Sequence, residues 1–377
     1  MRRERMKVII AAAGTGGHIN PGIAIANKIK KENKNAEITF IGTTRGLEND
    51  LVPRAGYSLR TIEAYGISRK ISIQNFRNML KTFKGLGEAK KIIKEINPDI
   101  VIGTGGYICG PVLLAAAKNK IPTTVHESNA FPGVAVKLLS KKVDTVLVGF
   151  KEARGRLPKA NKIVVTGNPT KIVSGAALNR TQIKQELGVK NDLPIVLVFG
   201  GSQGAKTINE TLMEIISKKL NEEYQLIWAC GPKQYDIVKE ELSSKDININ
   251  NIQNTKIFPY IHNMEEVMGV SDIVVSRSGA MTITEVAMAG KPAIFVPFPF
   301  ATENHQEYNA KVLKNVGAAK IILDKDLDVD TLSKTIRDMF GNPEKLKLMG
   351  ENAKKIAVPN TLDIIYEEIV RLSKKNK

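Results

Sequence analysis

Short runs of β-branched and other apolar residues alternate with helix-length amphipathic stretches along nearly the whole chain. In the first half the apolar runs cover 8–12, 38–41, 100–102, 123–125, 143–148 and 163–165. In the second they cover 195–199, 225–228, 256–258, 273–275, 293–296 and 320–323. Runs with no polar alternate face read as strands buried on both sides. With helical spacers between them, they predict parallel sheets covered by helices on both faces. At 377 residues the chain exceeds a single core, so two doubly wound, Rossmann-like α/β domains are expected. The polar segment 155–175, which holds Pro158 and Gly167-Asn168-Pro169, is the expected hinge. The expected division is 1–166, 167–358 and a tail at 359–377. The tail reads as an amphipathic helix carrying Leu362, Ile365, Ile369 and Leu372, of a kind that can return to the first domain.

Three glycine clusters, 14–17, 103–106 and 200–204, each follow an apolar run. Ligands of open α/β sheets bind beyond the carboxyl ends of strands, so these loops predict one crevice per domain. The first reads Gly14-Thr15-Gly16-Gly17-His18, with Pro21 marking where a helix can begin. Glycines let backbone N–H groups crowd a ligand, and a helix N-terminus favours negative charge. His18, one of four histidines, is suited to proton removal near neutral pH; the alternative is a residue that only hydrogen-bonds the loop. A dinucleotide site fails in detail. Neither 14–19 nor 103–108 has the third glycine, and Gly42-Thr43-Thr44-Arg45 offers no acid to a ribose, which argues against nicotinamide or flavin. The run from Gly200 to Thr207 departs from a phosphate-loop ATPase at Ala205, which favours diphosphate binding without hydrolysis. After Arg277-Ser278 a helix is expected from Gly279, with Glu285 about one and a half turns in. There it is either a ribose acceptor or a solvated carboxylate. The loop from Pro297 to Gln306 ends in amide, imidazole and carboxylate groups of the kind that hold sugars, or are simply wet.

The composition, 42% hydrophobic and 25% charged, is that of an ordinary globular protein. Cys109 and Cys230 give neither a disulfide framework nor metal spacing, which fits a reducing compartment. The basic N-terminus precedes too short an apolar run for a signal peptide, and no stretch reaches membrane-spanning length. Charge changes the picture more. Residues 1–166 carry 29 Lys+Arg against 12 Asp+Glu, while 167–377 carry 27 against 26. The first half should therefore face something anionic. Nucleic acid is disfavoured, because aromatics are only 5% and the glycine loops would go unexplained. Ile73, Phe76, Leu80, Phe83 and Leu86 recur at helical spacing among Arg77, Lys81 and Lys84, behind Arg69-Lys70. That pattern suits an interfacial helix on anionic lipid, or a helix packed on its own sheet; the charge of this half favours lipid.

Taken in order, GTGGHINPG (14–22), GTGGYICGP (103–111), HESNAFPG (126–133), GNPTK (167–171), GGSQGAKTIN (200–209), FPYIHNM (258–264), SRSGAMTITEVAMAGKPAIFVPFP (276–299) and NHQEYNA (304–310) resemble the MurG family. These are peptidoglycan glycosyltransferases of GT-B fold, with two Rossmann-like domains facing a cleft. The resemblance implies transfer of N-acetylglucosamine from its UDP donor to the 4-hydroxyl of the N-acetylmuramoyl unit of polyprenyl-linked lipid I. Lipid II and UDP would form with inversion, at the cytoplasmic face of the membrane, in cell-wall biogenesis. It implies that Ser202, Gln203 and Gly204 hold the diphosphate, that Ile261 meets uracil through its backbone, and that Ala280, Met281, Thr282 and Glu285 line the nucleotide. Asn209 and Lys171 join the substrate-binding set, although Lys171 stands where members often have arginine. Gln306 would hold sugar hydroxyls, with His305 of uncertain role, while Asn129, Thr15, Gly16 and Gly17 approach from the acceptor domain. His18 is the favoured base, with Glu127 and Tyr107 supporting or competing. No cofactor is implied. No metal is required either, since the chain lacks the aspartate pair that would chelate an ion against a diphosphate. The alternatives are another UDP-sugar transferase or a UDP-N-acetylglucosamine epimerase.

Overall fold

The computed structural model describes residues 5–66, 73–170, 179–189, 192–201 and 203–374. The chain forms two compact units, 1–170 together with 360–377, and 171–359. The boundary thus falls after Thr170, four residues beyond the expected position, because Gly167 and Asn168 are still hydrogen-bonded to His126 and Ser128 of the first unit.

The first unit holds β1 (Lys7–Ala11), β2 (Glu37–Gly42), β3 (Ser58–Thr61), β4 (Ile100–Gly103), β5 (Thr123–Glu127), β6 (Thr145–Val148) and β7 (Ile163–Val165). They form one parallel sheet in the order β3-β2-β1-β4-β5-β6-β7. Successive β1 residues enter different cores. Ile9 and Ala11 join a cluster with Ile93, Val112 and Leu113, while Val8 and Ile10 join one with Ile25, Ile29 and Phe40. Burial on both faces is what a run without alternation predicts. The polar edge strand β3 was not visible as an apolar run, since only Leu59 of its four residues is not exposed. The helix Thr361–Ser373 completes the second cluster with Ile365, Ile369 and Leu372. Its buried Glu368 accepts bonds from Thr145 Oγ1 (2.7 Å), Lys162 Nζ (2.9 Å) and two Arg371 nitrogens (both 2.7 Å). Burial works to raise this carboxyl, but those donors outweigh it and hold its pKa down to about 2.

The second unit holds β8 (Ile195–Phe199), β9 (Gln225–Ala229), β10 (Thr255–Phe258), β11 (Ile273–Ser276), β12 (Ala293–Phe295) and β13 (Ala319–Ile321). These strands are also parallel, in the order β10-β9-β8-β11-β12-β13. Its core centres on Trp228 with Val196, Val198, Leu212 and Val275. In each sheet the order of winding reverses beside the first strand, between β1 and β4 and between β8 and β11. That is where such sheets open a crevice at their carboxyl ends. Among the described residues no helix is long and apolar enough to cross a membrane.

Of the expected interfacial helix, the backbone runs as Ile73–Ile96, and the side chains of Ile73, Phe76, Arg77, Leu80, Lys81 and Phe83 lie outside the described residues, as do Arg69 and Lys70. Leu86 is half-buried and packs against the unit's own core, as the alternative of a helix packed on its own sheet has it.

Candidate active site

All three glycine clusters follow strands at these reversal points. The helix after β1, Gly16–Glu32, starts five residues before Pro21, which lies inside it, and this corrects the expected start. Gly16 and Gly17 continue into helix without side chains to obstruct it, so His18 falls in the first turn. The His18 N–H donates to Thr15 O at 3.0 Å, and Thr104 Oγ1 donates to His18 O at 2.8 Å. The imidazole lies against the second glycine cluster. A Cβ on Gly105 would stand 2.3 Å from His18 Nδ1, and one on Gly106 3.5 Å from Cδ2. Both glycines have positive φ, +112° and +80°, so the loop after β4 is shaped as a bed for this ring.

The two other candidates for the base lie at the end of β5 and just before the helix that follows β4. Buried Glu127, at the end of β5, accepts the Asn129 N–H (2.9 Å), the Asn129 side-chain amide (3.1 Å) and the Gly133 N–H (2.8 Å). Burial raises its pKa despite those bonds. Those bonds fold the 127–133 loop around its carboxylate. Tyr107 is half-buried, its ring packed against the core around the helix Cys109–Lys118. Thr15 caps the helix that Gly16 and Gly17 open, Asn129 lies on the loop after β5, and all four are half-buried or exposed.

In the second unit, Gly201 and Gly204 take positive φ (+83° and +76°), and the Gly204 N–H donates to Gly201 O at 3.0 Å. A Cβ on Gly204 would come within 2.2 Å of Cys230 O, so this loop is pressed against the turn after β9. Asn209 holds that turn. Its amide donates to Cys230 O (2.9 Å) and accepts from the Trp228 indole (3.1 Å), and it is 2% exposed. Asn209 therefore positions this turn beside the glycine loop. Ala205 caps the helix Lys206–Ser217 in an extended conformation that needs no glycine, so the departure from the ATPase pattern is sterically ordinary. Gln203 is exposed on the same loop; Ser202 and Lys171 lie outside the described residues.

The turn after β11 leads through Gly279 into the helix Ala280–Ala289. Gln306 Oε1 accepts the N–H groups of Ser278 (3.2 Å) and Phe298 (2.9 Å), and Ser278 Oγ donates to Gln306 O at 2.8 Å. Asn309 donates to Ser278 O at 3.2 Å. Arg277 donates to Val296 O at 3.1 Å, pairs with Asp324 and stacks over Phe298. Glu303 and Asn304, just ahead, are non-glycine residues at φ +54°, a costly conformation that turns the chain into Gln306. His305 Nδ1 sits 2.7 Å from Thr302 O, within that turn. Ala280 and Ile261 are nearly buried, whereas Met281 and Thr282 are half-buried. Glu285 stands apart. Burial lifts its pKa to about 7, and among the described residues no hydrogen bond or ion pair compensates. Sequence reasoning gave Thr104, Arg277 and Asn309 no part in building these turns, although each lies inside one of the quoted motifs, 103–111, 276–299 and 304–310.

Two family models match the chain. The glycosyltransferase family 28 N-terminal domain covers residues 8–148, and the family's C-terminal domain covers 195–363. A relative from Acetivibrio thermocellus is 46% identical over 99% of both chains. It is named UDP-N-acetylglucosamine–N-acetylmuramyl-(pentapeptide) pyrophosphoryl-undecaprenol N-acetylglucosamine transferase. The chain belongs to the MurG family of glycosyltransferases. A Clostridioides difficile relative of the same name is 41% identical over 97% of this chain and 89% of its own. The crystal structure of the Acinetobacter baumannii MurG superposes with TM-score 0.76 at 28% identity, over 97% of this chain and 99% of that one. A UDP-GlcNAc 2-epimerase from Neisseria meningitidis shares the fold, with TM-score 0.65 at 16% identity over 97% and 100%. MurG and other GT-B glycosyltransferases thus have the architecture seen here, two parallel-sheet α/β domains.

Proposed function

We propose that this protein transfers N-acetylglucosamine from UDP-N-acetylglucosamine to the 4-hydroxyl of the N-acetylmuramoyl unit of lipid I, with inversion, giving lipid II and UDP. The observation that carries the reading is near-full-length identity above 40% to relatives named for that transfer. The reading gives each part a role that its geometry suits. The loop from Gly200 to Ala205 and the N-terminus of the helix behind it offer N–H groups and a dipole to the diphosphate, including the charge that develops as UDP leaves. Glu285, desolvated and unpaired, accepts the two ribose hydroxyls. Gln306 uses its oxygen to tie two loops and keeps its NH2 end for sugar hydroxyls, while Ile261 meets uracil. His18, seated on Gly105, takes the acceptor proton as the oxygen attacks the anomeric carbon from the side opposite the departing diphosphate.

The first unit, with its cationic excess, rests on the anionic cytoplasmic face of the membrane, where a polyprenyl-anchored acceptor lies. A role in cell shape and division follows from supplying lipid II. The test is lipid I-dependent release of UDP, with lipid II followed by mass. UDP-N-acetylglucosamine consumed without acceptor and converted to its 2-epimer would refute the reading in favour of an epimerase.

A further inference from the structure

The chain after β2 was read as offering no acid, yet one stands six residues beyond Gly42, turned inward. Glu48 opens the helix Glu48–Arg54 and is wholly buried. One carboxylate oxygen accepts the Gly14 N–H at 2.9 Å. The other accepts the Thr43 N–H at 2.9 Å and the Thr43 hydroxyl at 2.7 Å. The approach is built for. A Cβ on Gly46 would stand 1.9 Å from Glu48 Oε2, and one on Gly42 2.6 Å from its Cγ. Gly14 is held from its other side too, its carbonyl accepting the Leu47 N–H at 3.5 Å. Gly14 lies three residues beyond the end of β1, where the chain bends at φ +95°, and sets the direction in which Thr15 to His18 leave the sheet.

We propose that Glu48 is a positioning residue for the transfer reaction. It anchors the Gly14 peptide, and so fixes the first-turn N–H groups and the His18 ring where the acceptor hydroxyl must be met. The proposal rests on the glycosyl-transfer reading of the same site. A carboxylate suits the task because it presents two acceptors and no donor to three donors. An amide in its place turns one end into a donor facing the Gly14 N–H.

The test is Glu48→Gln in the full chain, with Thr43→Val and Thr43→Ser beside it. The expected result for Glu48→Gln is a fall of at least about tenfold in kcat on lipid I. Its Kd for UDP-N-acetylglucosamine, bound by the other unit, should stay within about twofold. Thr43→Val should show a smaller fall that Thr43→Ser does not. Unchanged kcat in Glu48→Gln overturns the proposal. So does a loss of donor affinity and melting temperature in step with kcat, since that marks a general structural role. If the wild-type chain transfers no sugar, the activity reading fails separately. Hydrogen exchange at the Gly14 amide then decides, and an unaccelerated rate in Glu48→Gln overturns the anchoring.

Discussion

Glu285→Gln should stabilise the free protein while it weakens the donor site, and both effects should depend on pH. Burial with no compensating partner lifts this carboxyl to about 7 from an ordinary 4.5. The native state therefore holds a proton that the unfolded chain gives up between those values. The stability tied to that proton is present below about 4.5 and is lost as pH rises through about 7. At roughly 1.4 kcal/mol per pH unit, the gap of about 2.5 units amounts to at most about 3.5 kcal/mol. Denaturant unfolding of the variant should thus show a gain of up to about 3.5 kcal/mol at pH 8, shrinking towards zero near pH 4.5. Donor binding runs the other way. Ribose hydroxyls donate to the ionised form, so wild-type affinity for UDP-N-acetylglucosamine should fall roughly tenfold from pH 8 to pH 6. Calorimetry at pH 7 in two buffers of different ionisation enthalpy should detect about half a proton released. The sugar nucleotide is the right probe, because its diphosphate has no second ionisation near neutrality as free UDP does. The variant should bind weakly with a flat profile. A flat profile in the wild type, or wild-type affinity in Glu285→Gln, refutes the assignment.

The remaining expectations concern the first unit. His18→Ala should lower kcat by about two to four orders of magnitude with donor Kd preserved; near-normal turnover would remove His18 as base. Gly105→Ala places a methyl where the His18 ring lies, at a φ that L residues resist. It should cost about 1–3 kcal/mol in stability and about a hundredfold in kcat, read by melting and by lipid I turnover. Glu368→Ala removes the acceptor that ties Thr145, Lys162 and Arg371 to the tail helix and should cost about 1–3 kcal/mol at pH 7. Because its carboxyl is depressed to about 2, that stability is present above about 4.5 and fades as acid approaches 2. The gap between wild type and variant in thermal scans should therefore narrow at pH 3.

Much of this architecture is legible in the chain because most strands are buried on both faces and leave unbroken apolar runs. The exception is β3, whose Ser58, Arg60 and Thr61 face solvent at an edge and leave no such trace. Helix starts were less legible. Pro21 looks like a first-turn residue, but the two glycines before His18 let the helix begin earlier. At the site, local signals found the loops but could not apportion roles within them. Asn209 and Glu127 sit in motifs as polar as any ligand-binding residue, and only the fold shows their atoms committed to Cys230, Trp228 and the 129–133 backbone. Glu48 was invisible for the converse reason: its partner Gly14 is 34 residues away.

The partition of charge sharpens when the tail helix is counted with the unit it belongs to. Residues 1–170 and 360–377 then carry 33 Lys+Arg against 15 Asp+Glu, and 171–359 carry 23 against 23. A doubly charged nucleotide is thus assigned to a unit with no net charge, whose long-range field does little to attract it, so its hold rests on contacts at the site such as backbone N–H groups and helix dipoles. Interactions of that kind are short-ranged and largely insensitive to screening, whereas attraction of a unit of net charge +18 to anionic lipid collapses with the Debye length. Raising NaCl from about 0.05 M to 0.5 M should strip the protein from phosphatidylglycerol vesicles while changing the Kd for UDP-N-acetylglucosamine by less than about threefold. Vesicle sedimentation and calorimetry across that series separate the two. Donor affinity that fell in parallel with vesicle binding would mean that the cationic unit, not the neutral one, carries the nucleotide, and the assignment of Gly204, Glu285 and Gln306 to the donor would fall with it.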